Sequence, residues 1–352
     1  MSLAEILVLS LSVLFTIAGF ASLLRYSAWW IRMFDFPRLQ ISVALIAVLI
    51  ASIVFYSFDK IWHYVAVVSV AGSLLFELSK IFKYTFFVPK QVLSYSGNDN
   101  DNMVSIMVSN VLQSNRNSEK LIQLVKQWQP DMLLTLETDS WWEKQLEELN
   151  NDYPFSIKKP QNNLYGMLLV SRLKLSKTKI AHLVEDEIPS FEAYVELKSG
   201  ESVKIFCLHP KPPFPDESKT STNRDAELLL VAKNIKPKDE PVLIFGDFND
   251  VAWSHTTKLF QKTSGLLDPR IGRGFFNTFH AEHTLIRWPL DHTFHSSHFK
   301  LVEMKRLGYM GSDHFPIFVK LHFDRSAKKQ QEEPVANAQE EKQAQEKIQE
   351  AT

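Results

Sequence analysis

The sequence has almost no cysteine, and its charges nearly cancel. Cys207 is the single cysteine among 352 residues, so the chain can form no intrachain disulfide and no cysteine metal cluster. The formal net charge is −1, and between Met103 and Asp324 there are 27 Lys and Arg against 28 Asp and Glu. A surface that binds duplex nucleic acid is normally basic, because contacts with phosphate supply much of the affinity. The balance therefore argues against such a surface.

Charge is also missing from long stretches near the N-terminus. No charged residue lies between Glu5 and Arg25 or within 41–58, and a third apolar stretch, 61–87, carries few charges. A helix of about 20 apolar residues can span a bilayer. Three such stretches with an acidic residue near the start do not resemble a secretory signal peptide. We predict that residues 1–90 form three transmembrane helices, with buried helices of a soluble domain as the alternative.

The charges beside these stretches predict how the chain is oriented in the membrane. The first loop and the exit of the third stretch are basic, whereas the single lysine of the second loop is cancelled by Asp59. Basic loops tend to stay in the cytoplasm. The sequence thus predicts a multi-pass protein of the inner (cytoplasmic) membrane, with the remainder of the chain on the cytoplasmic side.

Composition divides that remainder into three parts. Residues 91–102 are polar, which predicts a linker, and residues 103–324 have the mixed apolar and polar composition of a folded domain. Residues 325–352 are rich in Gln, Glu, Lys and Ala with few apolar side chains. Such a segment buries little surface, so we predict a disordered or loosely helical tail.

The start of the central part predicts a βαβ unit. Apolar strands at 103–109 and 132–136 enclose a helix that Pro130 ends. A crossover of this kind places Asn110 and Glu137 at the same edge of a sheet. Further strands mixed with helices predict an α/β fold of two packed sheets flanked by helices.

Polar motifs follow or precede the apolar runs. The run 242–245 leads into GDFND, where Asp247 and Asn249 share one face because strand side chains repeat every two residues. The other motifs are PLDHTF with Asp291, GSDHFP with Asp313 and His314, CLHPKPPFP with His209, and SNVL with Asn110. Open α/β sheets place their sites at such strand ends.

With these motifs the chain resembles the endonuclease/exonuclease/phosphatase (DNase I-like) superfamily, from about Val104 to about Leu321. The resemblance implies a four-layer sandwich of two mixed β-sheets flanked by helices, here preceded by the transmembrane region. It also implies a metal cofactor, Mg²⁺ with Mn²⁺ or Ca²⁺ as alternatives. Glu137 would be the principal metal ligand and Asn110 would assist it.

The resemblance assigns the remaining roles. Asp247 and Asn249 would orient the attacking water and hold the scissile phosphate, with Asp247 as the general base. Asp313 would orient His314, which would contact the phosphate, and Asp291 would lie near the leaving group or a second metal position.

Three residues receive weaker assignments. His209 would donate a proton to the leaving oxygen or contact phosphate, with a loop-anchoring role as the alternative. Arg224 and Tyr165 are weaker candidates for substrate contacts. His292 should point away from Asp291 by strand alternation and serve packing.

These residues together predict a membrane-anchored, metal-dependent phosphoesterase. A bilayer anchor favours a lipid-like substrate, because tethering raises the effective concentration there. His209 stands where abasic-site endonucleases carry Tyr, which argues against DNA repair. The alternatives are an endo- or exonuclease acting on DNA or RNA, and a membrane scaffold with an inactive enzyme domain. The expected partners are the bilayer and a phosphorylated substrate, and no obligate protein partner is indicated.

Overall fold

The computed structural model describes residues 1–235 and 240–351. Three long helices form its N-terminal region: α1 (Leu3–Phe20), α3 (Arg38–Phe55) and α4 (Ile61–Ile81), with the short helix α2 (Trp29–Arg32) between the first two. The long helices pack against one another, and each is long and apolar enough to cross a membrane. Many of their apolar side chains face outward. The three helices are confirmed, and their insertion in a membrane stays a prediction.

The part of the structure that follows the N-terminal helices contains two mixed β-sheets. Their strands are β1 (Met103–Asn110), β2 (Met132–Leu136), β3 (Phe155–Lys159), β4 (Met167–Ser171), β5 (Leu175–Ala181), β6 (Ser190–Glu196), β7 (Ser202–Leu208), β8 (Val242–Asp247), β9 (Asp291–His295), β10 (Phe299–Arg306) and β11 (Ile317–Phe323). The larger sheet has the order β10-β11-β1-β2-β4-β3, and the smaller has the order β5-β6-β7-β8-β9. In each sheet one pair is parallel, β1 with β2 and β7 with β8.

The main core lies between the two sheets. Val108, Leu134 and Leu169 of the larger sheet share this core with Ile205 and Phe245 of the smaller one. Helices α5 (Ser118–Trp128) and α6 (Ser140–Leu146) cover the outer face of the larger sheet. Helices α7 (Thr222–Ile235) and α8 (His255–Ser264) lie on the outer face of the smaller one. The predicted four-layer α/β sandwich is confirmed.

Strand direction brings six strand ends to one edge of the sandwich. The parallel pairs end there at Asn110 and Leu136 in one sheet and at Leu208 and Gly246 in the other. β9 and β11 run antiparallel to β8 and β1, so they begin at the same edge. All the polar motifs of the sequence therefore lie at this edge.

The predicted linker packs on the larger sheet over part of its length. Val92 is fully buried, and the Tyr95 N–H donates to the carbonyl of Leu301 at 2.8 Å. The Tyr95 ring also stacks on His322 with 3.6 Å between centroids. One buried valine and one aromatic ring are enough to hold this otherwise polar segment.

The tail departs from the prediction of a disordered or loosely helical segment. Helix α9 (Ala338–Gln349) packs on α7 and α8. Its Ala344 and Ile348 join Leu229 and Leu259 in a small buried cluster. Residues four apart lie on one face of a helix, so these two apolar side chains suffice to dock a segment that is otherwise polar.

The helical region is docked on the catalytic domain by residues 27–37, which we call the first connecting segment. The Trp29 N–H donates to the carbonyl of Lys219 at 3.0 Å. The indole Nε1 of Trp253 donates to the carbonyl of Asp35 at 2.6 Å. These contacts place the segment beside the edge where the polar motifs meet.

Candidate active site

Asp247 and Asp291 lie side by side where β8 and β9 meet at this edge. Asp247 ends β8, Asp291 begins β9, and the two residues are paired in register. Both are almost fully buried. Gly246 has a φ of +150°, and a Cβ at this position would lie 2.0 Å from the carbonyl oxygen of Leu208. The glycine of GDFND therefore permits the close approach of β8 to β7 that presents Asp247.

Asn110 joins the two sheets at this edge. Its Nδ2 donates to Oε1 of Glu137 at 2.8 Å and to Oδ2 of Asp247 at 3.3 Å. The Gln113 N–H donates to the second carboxylate oxygen of Glu137 at 3.3 Å. Burial raises the pKa of Glu137 to about 7. The predicted meeting of Asn110 and Glu137 is present, and Asp247 of the other sheet joins them.

His314 is held between two carboxylates. Its Nδ1 lies 2.8 Å from Oδ2 of Asp291, and its Nε2 lies 3.6 Å from Oδ2 of Asp247. Burial lowers the pKa of His314, but Asp291 and Asp247 outweigh it and raise the pKa to about 10. The imidazole is therefore cationic near neutral pH.

The orienting partner of His314 differs from the expectation. The family resemblance implied that Asp313 orients this ring, but Asp291 does so. Asp313 lies in a bend before β11, whereas Asp291 begins β9 and brings its Oδ2 to within 2.8 Å of Nδ1 of His314. Asp313 lies half-buried in the cleft, where its Oδ1 accepts a hydrogen bond from Ser312 at 3.3 Å.

Asn249 belongs to a turn that uses one oxygen of Asp247. Its N–H donates to Oδ1 of Asp247 at 2.9 Å, its φ is +49°, and its Nδ2 donates to the carbonyl of Pro210 at 3.0 Å. This is an Asx turn, a conformation that Asp and Asn favour. The turn occupies Oδ1 and leaves Oδ2 of Asp247 facing Asn110 and His314.

His209 is a neutral, buried member of the site. Burial lowers the pKa of its imidazole to about 4, although nearby Asp247 opposes the shift. Its Nδ1 has no hydrogen-bond partner among the described residues, and its ring lies 5.3 Å from that of Tyr165. A buried ring with an unpartnered Nδ1 beside the cleft fits the expected phosphate contact, and the role of proton donor to the leaving oxygen stays a prediction.

The donor set fits a divalent cation. Among the described residues no Lys or Arg pairs with Glu137, and Oδ1 of Asp291 is buried without a hydrogen-bond partner. Asp247, Asp291 and His314 each offer a ligand atom within 4.8 Å of the others. Nδ1 of His314 is already bonded to Asp291, and its Nε2 faces Asp247. These three residues therefore form ion pairs with one another. The Glu137 carboxylate, which is only partly buried, is the more open oxygen ligand, of the kind that Mg²⁺ prefers. The Oδ1 of its neighbour Asn110 accepts a hydrogen bond from the Leu112 N–H at 3.0 Å.

These residues line a cleft of about 540 Å³. Its polar lining consists of Asn110, Glu137, Tyr165, His209, Glu217, Asp247, Asn249, Asp313 and His314. Asp291 supports His314 from behind and is not part of the lining. Apolar side chains form much of the remaining wall, and they come from both regions of the chain: Leu164, Phe214, Phe279, Trp288 and Leu290 from the catalytic domain, and Trp29, Met33, Phe36 and Pro37 from the first connecting segment.

The assignments of Tyr165 and Arg224 have different outcomes. Tyr165 lines the cleft, where its hydroxyl donates to Glu217. Arg224 does not line it. Its Nη1 donates to the carbonyl of Asn249 at 2.8 Å, and its Nε and Nη2 bind Asp225 at 3.1 and 2.8 Å. The expectation that Arg224 reaches substrate is corrected, because these internal partners occupy the buried guanidinium and make it a support of the Asn249 turn.

His292 behaves as strand alternation predicts. Its Nδ1 lies 2.6 Å from Nη2 of Arg270, and its Nε2 lies 2.9 Å from the carbonyl of Asp250. The ring stacks on Phe248 on the side of the strand away from Asp291. It is a packing residue.

Sequence reasoning missed the apolar residues of the cleft. Trp29, Met33 and Phe36 lie more than 70 residues before the first catalytic motif, in a segment read only as a loop between membrane helices. Trp288 lies one residue before the PLDHTF motif, but no motif or periodic pattern marked it as a site residue. No local pattern identifies these residues, because their role depends on how the two regions dock.

Comparison with solved structures agrees with this fold. The humanized TDP2 of D. rerio superposes with a TM-score of 0.54 at 18% identity, over 63% of this chain and 99% of that one. The catalytic domain of human Nocturnin gives 0.52 at 19% identity, over 64% and 96%. A Bacteroides vulgatus endonuclease/exonuclease/phosphatase gives 0.52 at 15% identity, over 63% and 99%. At these identities the likeness establishes the fold alone.

Sequence comparison establishes the family. No curated protein matches the chain significantly. The profile of the Endonuclease/Exonuclease/phosphatase family, however, matches residues 107–314, which is more than half of the chain and contains every polar residue of the cleft. The chain belongs to the Endonuclease/Exonuclease/phosphatase family and is a metal-dependent phosphoester hydrolase.

Proposed function

We propose that this protein is a membrane-anchored phosphoesterase that uses Mg²⁺, or alternatively Mn²⁺ or Ca²⁺, to hydrolyse a phosphodiester or phosphomonoester by in-line attack of water. The observation that carries the proposal is the convergence of Asn110, Glu137, Asp247 and His314 on one cleft. Hydrolysis of this kind needs charge neutralisation at the phosphoryl group, an activated water and stabilisation of the developing charge.

Each of these needs has a residue in the cleft. Asp247 takes a proton from the attacking water, and burial raises its pKa and so its affinity for that proton. The bond from water to phosphorus forms as the bond to the leaving alcohol breaks, and the alcohol departs with a proton from solvent. His314, oriented by Asp291, stabilises the negative charge of the transition state. Asn249 binds a phosphoryl oxygen without adding charge.

Glu137 and Asn110 are the proposed metal ligands. When bound, a divalent cation neutralises phosphoryl charge and polarises the phosphorus–oxygen bond. The Glu137 carboxylate, which is inside the cleft and unpaired with Lys or Arg among the described residues, supports this assignment. His209 is proposed as a neutral hydrogen-bond contact to phosphate.

The three N-terminal helices support an integral membrane location. We propose that they span the inner (cytoplasmic) membrane and that the positive first loop keeps the catalytic domain cytoplasmic. A lipid-like substrate follows from the tether, because a domain fixed at a bilayer meets lipid phosphates at high effective concentration.

Nuclease activity is the second candidate. It is favoured by the fold likeness to D. rerio TDP2, whose structure contains a single-strand DNA product. The near-zero net charge of the chain argues against it, because nucleic-acid binding draws much of its affinity from basic residues. An inactive scaffold is a weaker alternative, because every predicted polar site residue except Arg224 lies in the cleft or, like Asp291, directly behind it.

The test is hydrolysis of a phosphoester panel by the full-length protein in lipid nanodiscs. The panel contains phospholipids, single- and double-stranded DNA, RNA and chromogenic mono- and diesters, each with Mg²⁺, Mn²⁺ or Ca²⁺. We expect turnover that a chelator abolishes and that Asp247→Asn lowers by at least about a thousandfold. Asp152→Asn, an exposed acid outside the cleft, is the matched control. Equal turnover in wild type and Asp247→Asn would favour the scaffold, and preference for an oligonucleotide would favour the nuclease.

A further inference from the structure

The apolar wall of the cleft is built partly by the N-terminal helical region. Trp29, Met33 and Phe36 of the first connecting segment line the same cavity as His314. Phe36 meets the ring of Trp288 edge-on, with 5.6 Å between centroids. A phosphoester bound at the polar end of this cavity therefore has an apolar surface beside it, formed by both regions of the chain.

Buried ion pairs fix this wall in position. Asp35 accepts hydrogen bonds from Arg32 at 2.9 Å and from Arg38 at 2.7 Å, and Arg38 also donates to Glu77 of α4 at 3.0 Å. All four side chains are at least nine-tenths buried. Together with the bond from Trp253 to the carbonyl of Asp35, these contacts tie the segment to both the long helices and the catalytic domain. The wall is a built part of the cleft.

The rim of the cleft reaches the start of a long helix. Leu285 is 82% exposed and Ile286 is 48% exposed. The carbonyl of Leu285 accepts a hydrogen bond from Gln40, in the first turn of α3, at 2.7 Å. The same loop supplies Trp288 to the cleft wall. Exposed apolar side chains thus connect the start of α3, where a spanning helix enters the bilayer, with the interior of the cleft.

From these observations we propose that the substrate is a membrane lipid with a phosphodiester headgroup. Its hydrocarbon chain lies against Trp29, Met33 and Phe36 while its phosphate reaches His314. This inference rests on the proposed phosphoesterase function and adds that the first connecting segment selects for the hydrocarbon chain. The apolar lining, its continuity with the start of α3 and the lack of excess basic charge all favour a lipid over a nucleic acid.

Two esters with the same reacting centre test the proposal. Methyl p-nitrophenyl phosphate and hexadecyl p-nitrophenyl phosphate share the scissile bond and differ in the hydrocarbon chain. Both are presented to the full-length protein in nanodiscs with the active metal. We expect a higher kcat/KM for the hexadecyl ester. Met33→Gln and Trp29→Ala should lower that kcat/KM about tenfold, as the loss of one apolar contact does, and should change the methyl ester by less than about twofold.

The control variant is Trp30→Ala. Trp30 is the neighbour of Trp29, is 55% exposed and does not line the cleft, so both esters should keep their wild-type kinetics. Met33 is half exposed, so its substitution tests the proposal even if Trp29→Ala fails to fold.

Three results would overturn the inference while leaving the function intact. The first is equal turnover of both esters by the wild type. The second is a loss in Met33→Gln that is the same for both esters. An oligonucleotide cleaved faster than the hexadecyl ester, at a rate that Met33→Gln does not change, would also overturn it. If the wild type hydrolyses no ester with any metal, the proposed function itself fails.

Discussion

Lys347→Met should destabilise the protein, although it lies in a tail whose composition predicts disorder. The Nζ of Lys347 donates to Oδ2 of Asp225 at 2.7 Å, and the Asp225 carboxylate is almost fully buried. This bond connects α9 with the network in which Arg224 holds the carbonyl of Asn249. Met retains most of the side-chain volume and removes the charge.

The expected loss of stability depends on the hydrogen-bond partners that Asp225 keeps. Removing one member of a buried ion pair costs about 3–5 kcal/mol when the other charge is left alone. Asp225 keeps both bonds from Arg224 and the hydroxyl bonds from Ser221 and Thr256. The loss should therefore approach that of a single hydrogen bond to a charged group, about 2 kcal/mol. For a domain of this size that corresponds to a fall in Tm of about 4–8 °C.

The measurement is thermal unfolding of the full-length protein in nanodiscs, followed by tryptophan fluorescence. Lys342→Met is the matched control, because Lys342 is on the same helix, is exposed and pairs only with the exposed Glu346 among the described residues. We expect the control to shift Tm by less than about 2 °C. Identical Tm values for the wild type and Lys347→Met would show that the Lys347–Asp225 pair adds no stability and would refute the reasoning.

Three further results are expected. Glu137→Gln should weaken Mg²⁺ binding at least about tenfold, because it removes the charge of the proposed metal ligand. Isothermal titration measures this affinity, and an unchanged affinity would contradict the assignment. Gly246→Ala should destabilise the protein by about 3 kcal/mol in thermal unfolding, because the Cβ of the alanine would lie 2.0 Å from the carbonyl oxygen of Leu208. A wild-type Tm in this variant would count against the close approach of β8 to β7. Asp291→Asn should lower kcat by at least about a hundredfold, because Asp291 orients the ring of His314. It should also lower the pKa of His314, followed by NMR, because the Asp291 carboxylate favours the cationic ring. A wild-type titration of His314 in that variant would show that Asp291 is not its partner.

The strand ends were predictable because their signals are local. Apolar runs that stop at Asn110, Glu137 and Asp247 identify both the strands and the polar groups at their ends, and a parallel βαβ connection has one preferred handedness. The two-residue repeat of a strand also placed His292 on the packing side. These inferences need only neighbours in sequence and the geometry of the backbone.

Roles that depend on distant partners were harder to predict. Asp313 is adjacent to His314 in sequence, yet Asp291 of another strand orients the ring. Arg224 has the charge of a phosphate ligand, yet the structure surrounds it with Asp225 and the Asn249 carbonyl. Sequence proximity does not decide which of several carboxylates meets a given cation.

Composition and periodicity were sufficient for the three long apolar helices and the α/β class, and the motifs carried the resemblance to the family. Helix length, strand alternation and short motifs are all properties of contiguous residues. The apolar wall of the cleft and the docking of α9 were decided only in three dimensions. Both depend on a few side chains, Trp29 and Phe36 in one case and Ala344 and Ile348 in the other, that bury their surface against residues far away in the chain. Such contacts join residues that are distant in sequence, so no local pattern encodes them.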